Sequence, residues 1–171
     1  MRQFLKVTLV ATFLLTGANL FAQTVKLGHI NSNELLSIMP EKEQAQKQIQ
    51  AKAEEYDKQI QEMKAEYQKL AQAYIAERET LTDAVRAIKE KEIQELQNRM
   101  QTFDGFAQQE LQKTQNELLK PIFDKASKAI KDVGAENGFT YILDISTGVI
   151  LFNSDNSTDV MPLVKAKLGL Q

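Results

Sequence analysis

The 171-residue chain contains no cysteine and no tryptophan, one histidine, three prolines and seven glycines. Without cysteine there is no disulfide staple, no thiol nucleophile and no thiolate zinc site. A lone histidine, His29, excludes a multi-histidine metal centre. The formal net charge of −2 does not give the basic face or stripe of a general nucleic-acid binder. Also missing are a glycine-rich phosphate loop, a G-x-S-x-G elbow and an H-E-x-x-H pair. Carboxylates are plentiful, but pairs such as Glu41/Glu43 and Asp104/Glu110 fall in polar runs and read as solvated helix faces. The segment from Asn153 to Asp159 alternates oxygen-bearing side chains like a calcium loop. It has Thr158 and Val164 where an EF-hand needs glycine and glutamate. We therefore expect no enzyme, no catalytic residue, no metal and no cofactor.

What is present begins with an export signal at residues 1–22. Arg2 and Lys6 precede an apolar run from Val7 to Leu15, and Ala22 offers a small residue for cleavage before Gln23. That run is too short to span a hydrocarbon core of about 30 Å as an ordinary helix. Removing Arg2 and Lys6, and no acid, takes the formal charge from −2 to −4. An exported chain in a bacterial envelope works without ATP, so binding alone must drive what it does.

Three zones follow. In residues 23–40 a short strand is predicted from Val25 to Ile30, with Val25, Leu27 and His29 on one face and Lys26, Gly28 and Ile30 on the other. Asn31 or Ser32 caps a helix bearing Leu35, Leu36, Ile38 and Met39. The second zone has no glycine before Gly105 and no proline before Pro121, and is rich in Gln, Glu, Lys and Ala. Its apolar residues Ile49, Ala53, Tyr56, Ile60, Met63, Tyr67, Leu70 and Tyr74 keep the 3-4 spacing of a coiled-coil seam. The pattern breaks over residues 77–83, and Thr82 starts a new helix. A second seam is read as Val85, Ile88, Leu96, Met100, Phe103, Ala107 and Leu111, with an eleven-residue gap that implies local unwinding. The two arms, within residues 41–120, match in length at roughly 60 Å each and predict a long antiparallel hairpin. Gly105 and Pro121 are its hinge candidates, Pro121 being where the helix should kink or restart.

The third zone, residues 121–171, continues a helix to Gly134 or Gly138. Phe139 to Ile145 and Val149 to Phe152 then read as a β-hairpin turning at Thr147-Gly148. Thr158-Asp159 is the expected cap of a last helix. The fold class is thus α+β and mostly helical, a small β body with a long coiled-coil hairpin. A body so small is marginal alone. Joining edge strands between copies is the simplest remedy, with Val25, Leu27, Val149, Ile150 and Leu151 as interface candidates.

The order of these pieces resembles the periplasmic Skp/OmpH-type chaperones. The resemblance rests on Leu27-Gly28-His29-Ile30-Asn31-Ser32, then Glu34-Leu35-Leu36, the charged hairpin, Lys120-Pro121-Ile122, and Gly138-Phe139-Thr140-Tyr141. It implies a periplasmic homotrimer, three hairpins hanging from the body like tentacles, and ATP-independent holding of unfolded outer-membrane proteins between them. Well-studied members of the family are strongly basic. Here the region from Glu41 to Lys131 carries 16 basic and 17 acidic residues, so no lipopolysaccharide or membrane site is carried over. Arm residues outside the simplest seam, Ile75 and Phe106, with neighbouring Phe103, are the client-contact candidates. The alternative is a structural adaptor coiled coil of the cell envelope. It would bury every apolar arm residue in the hairpin, whereas a chaperone would turn spare ones toward a shared cavity.

Overall fold

A computed structural model describes residues 25–170. The expected export signal, and the cleavage after Ala22, lie outside the described residues. Element order is β1 (Leu27–Ile30), α1 (Ser32–Ser37), α2 (Pro40–Glu77), α3 (Asp83–Glu136), β2 (Tyr141–Asp144), β3 (Thr158–Asp159) and α4 (Met161–Leu168).

Local chemistry sets the ends of these elements. The Asn31 side chain accepts a hydrogen bond from the Glu34 amide and starts α1. Pro40 occupies the first turn of α2, where its missing N–H costs nothing. The Thr82 side chain accepts from the Val85 amide and starts α3. Gly138 takes the left-handed φ of 67° just beyond α3, a conformation that L side chains resist.

The helix restart expected at Pro121 does not occur, and α3 runs unbroken for 54 residues. Ile122, Ala126, Ala129 and Val133 follow Pro121 and are all buried in the core. Their packing holds the backbone helical although proline withholds one hydrogen bond. The helix also passes Gly134 and ends at Glu136.

The three strands form a parallel sheet in the order β2-β1-β3. Leu27 pairs with Tyr141 and Ile30 with Asp144, while Gly28 pairs with Thr158 and His29 with Asp159. The expected β-hairpin is therefore corrected. Phe139–Ile145 contracts to Tyr141–Asp144 and pairs with β1, and residues 149–152 form no strand. Thr158 and Asp159, expected as a helix cap, are instead the third strand. Asp159 keeps part of the capping role, accepting from the Met161 amide at 2.9 Å.

One face of the sheet is covered. Ile30 packs with Leu35, Met39, Val160, Val164 and the inner face of α3, forming a continuous buried cluster. Gly28 belongs to this face because a Cβ there would stand 2.9 Å from Val160 Cγ1 and 3.1 Å from the Phe139 ring. Asp144 fastens the sheet to the start of α1. Its carboxylate accepts from the Ser32 hydroxyl at 2.5 Å, the Ser32 amide at 3.2 Å and the Ser146 amide at 2.9 Å. Burial pushes this carboxyl up, but those hydrogen bonds outweigh it and hold it below the ordinary aspartate range.

Candidate functional site

Helices α2 and α3 lie side by side in opposite directions, as their paired side chains record in reverse order. Glu41 meets Lys125, Lys52 meets Glu110, Tyr56 meets Phe103, and Glu77 meets Lys89. Tyr74 donates its hydroxyl hydrogen bond to Glu90, which raises the tyrosine pKa. The α2 seam follows the predicted spacing, with Ile49, Tyr56, Ile60, Met63, Tyr67, Leu70 and Tyr74 all partly covered.

The α3 seam differs from its expected form. Val85 and Ile88 are exposed, and the half-buried positions are Arg86, Lys89 and Ile93, leading to buried Leu96. The spacing 86-89-93-96-100-103-107 is an unbroken heptad, so the eleven-residue gap vanishes. The aliphatic stems of Arg86 and Lys89 fill seam positions, and the Arg86 Nε is buried with them, without a hydrogen-bond partner among the described residues. Arg86 bonds the Leu81 carbonyl, and Lys89 pairs with Glu77 at 3.3 Å. Sequence reading missed these two residues because it sought apolar side chains. Counting back by sevens from Met100 and Phe103 would have found them.

Of the client-contact candidates, Phe103 and Phe106 join Tyr56 in one aromatic cluster, their ring centroids 6.4 Å apart, while Ile75 lies outside it. Phe103 is half-buried, edge-on to Tyr56 at 5.9 Å. Phe106 is 51% exposed and Ile75 is 73% exposed. Ile75 follows the seam residue Tyr74, whereas Phe106 precedes the seam residue Ala107. At 100° per residue, on helices running oppositely, those positions lie on opposite flanks of the pair. No single surface of one chain presents both. Val85 and Ile88 lie on the Phe106 flank by the same reasoning, so exposed apolar groups lie on both flanks. Gly105 sits in the continuous α3, with open space where a Cβ would stand.

The second apolar surface is on the body. The alternation that buries Gly28 and Ile30 leaves Leu27 on the uncovered face, with Tyr141 and Leu143 beside it on β2. Val25 is also exposed. Beyond β2, Val149, Leu151 and Phe152 are 78%, 94% and 82% exposed, with Ile150 partly covered. Three of these four consecutive apolar residues thus stand exposed, and none has a strand partner. His29 points from the same face. Its Nδ1 is 2.9 Å from the Ser157 hydroxyl, and its Nε2 lies 3.5 Å from the Asn153 amide nitrogen, so it ties down the polar loop after this segment. Tyr141 and Leu143 were absent from the expected interface. Their alternation with Ile142 is the signal that would have placed them there.

A small sheet-bearing body with a long helix pair, apolar on exposed surfaces of both, defines a class of proteins that offer extended binding surface rather than a closed pocket. Within that class, residues 26–168 match the family model described as Outer membrane protein (OmpH-like), and the chain belongs to that family. This is the Skp/OmpH type that the sequence resembles, a family of periplasmic chaperones. A comparison with curated proteins finds no match.

Proposed function

We propose that this protein is an ATP-independent holdase of the periplasm. It binds unfolded outer-membrane proteins in a cavity between helical arms and keeps them from aggregating. The observation that carries this reading is that Ile75, Val85, Ile88 and Phe106 stay exposed on helices that pair through other residues. Weak contact at several such points suits transient capture of varied chains.

The cavity requires several copies. We place the joint at the uncovered sheet face and at Val149–Phe152, in a homotrimer with export guided by residues 1–22. Support comes from the exposure of Leu27, Tyr141, Leu143, Val149 and Leu151 together. Isolated apolar residues on a surface are ordinary, but Leu27 stands beside Tyr141 and residues 149–152 form a continuous apolar run, and such groupings mark interaction sites. Hinging at Gly105 and Pro121 would let the arms adjust to clients of different size.

The test dilutes a urea-unfolded outer-membrane β-barrel protein into nucleotide-free buffer containing the chaperone. Suppressed turbidity is expected. Unchanged turbidity, with helical circular dichroism intact, moves the assignment to the structural adaptor of the cell envelope.

A further inference from the structure

A recess of about 190 Å³ opens between the arms at mid-height. It exists because Ala53 on α2 and Ala107 on α3 are too small to fill the space between the helices. Tyr56 and Phe103 provide aromatic walls. At that size it suits one side chain rather than a drug-sized ligand, which needs several hundred Å³.

Asp57 and Asp104 line the same recess, one from each arm. Some arm carboxylates pair with neighbouring lysines, as in Glu43–Lys47, Glu62–Lys58 and Glu95–Lys91, while others, such as Glu66 and Glu92, have no ion pair among the described residues but do not line this recess. Among the described residues, Asp57 and Asp104 have no such cation. Their partners are neutral amides. Gln61 donates to Asp57 at 3.5 Å and Gln108 to Asp104 at 2.9 Å. These amides steady the carboxylates without cancelling their charge. No lysine or arginine lines the recess; the Lys52 ammonium stands 5.8 Å from the Tyr56 ring centroid and is turned to Glu110.

An apolar slot with aromatic walls and two uncompensated carboxylates is complementary to a long side chain that ends in a planar cation. We propose that the recess binds an arginine side chain of an unfolded client, its stem against Ala53 and Ala107 and its guanidinium between Asp57 and Asp104. Arginine fits better than lysine because its flat group both stacks on rings and forks to carboxylates. The inference rests on the client-binding reading and adds a chemical preference to it. Clients would be held through cationic side chains as well as apolar ones.

The experiment measures fluorescence anisotropy of a short unstructured peptide with one arginine, against the same peptide carrying neutral, isosteric citrulline. The expected result is binding of the arginine peptide about fivefold tighter at low salt. That preference should vanish in Asp57→Asn/Asp104→Asn. It should survive in Glu66→Gln/Glu92→Gln, which removes the same charge elsewhere on the arms. Equal binding of the two peptides, a preference that persists in Asp57→Asn/Asp104→Asn, or one lost equally in the Glu66/Glu92 variant overturns the assignment. The peptide readout does not depend on holding a whole client. An arginine preference without suppression of client aggregation would overturn the holdase reading alone, and the reverse would overturn the recess alone.

Discussion

Gly28 and Val160 approach so closely that a Cβ on residue 28 would stand 2.9 Å from Val160 Cγ1. Val160 is itself fully buried, and the Phe139 ring closes the other side at 3.1 Å. Neither neighbour is the free end of a flexible chain. Gly28→Ala should therefore cost about 1–3 kcal/mol by overpacking. A urea-unfolding curve read by circular dichroism checks it, and a midpoint equal to the parent's would refute the close packing.

Asp144 joins β2 to the first turn of α1 through its bonds from Ser32 and Ser146. Its folded-state pKa is depressed, so it adds stability above the ordinary aspartate value of about 4, and that stability fades as pH falls through this range toward the lower folded value. Asp144→Asn should lower stability by about 1 kcal/mol at pH 7. The gap in melting temperature between parent and variant should narrow toward pH 3. A gap independent of pH would show that the charge contributes nothing.

Gly105 has open space around its missing side chain and lies within continuous helix. Gly105→Ala should raise arm stability by about 1 kcal/mol and slow amide exchange nearby. Unchanged exchange in the arm would remove Gly105 as a soft point.

Val149 and Leu151 are the proposed joint between copies. Val149→Asp/Leu151→Asp should give a folded monomer, because both side chains are exposed in the single chain and neither supports its core. Sedimentation velocity with circular dichroism separates the outcomes. An intact oligomer would place the joint elsewhere.

How much of this was legible in the sequence depended on what each residue had to satisfy. Asn31 and Thr82 cap the helices they were expected to cap, because capping is a local exchange of hydrogen bonds. The β1 faces followed from alternation alone. The β-hairpin failed for a different reason. Residues 149–152 have strand composition, but β2 finds its partner in β1, more than a hundred residues earlier, and no local signal encodes that pairing. Pro121 misled because core packing of Ile122 and Ala126 outweighs a local helix breaker. Arg86 and Lys89 were overlooked because their role lies in their stems, not their charges. The recess at Asp57 and Asp104 could not be seen at all, since it depends on which residues of α2 face which residues of α3.

The central claim is that copies of this chain together enclose an unfolded client. The most direct measurement is the mass of the soluble complex formed when a urea-unfolded outer-membrane β-barrel protein is diluted with the chaperone in nucleotide-free buffer, read by sedimentation equilibrium. The account predicts one client with three chains, and no such complex with Val149→Asp/Leu151→Asp. A soluble complex containing a single chain per client, or one that forms equally well with that variant, would contradict it.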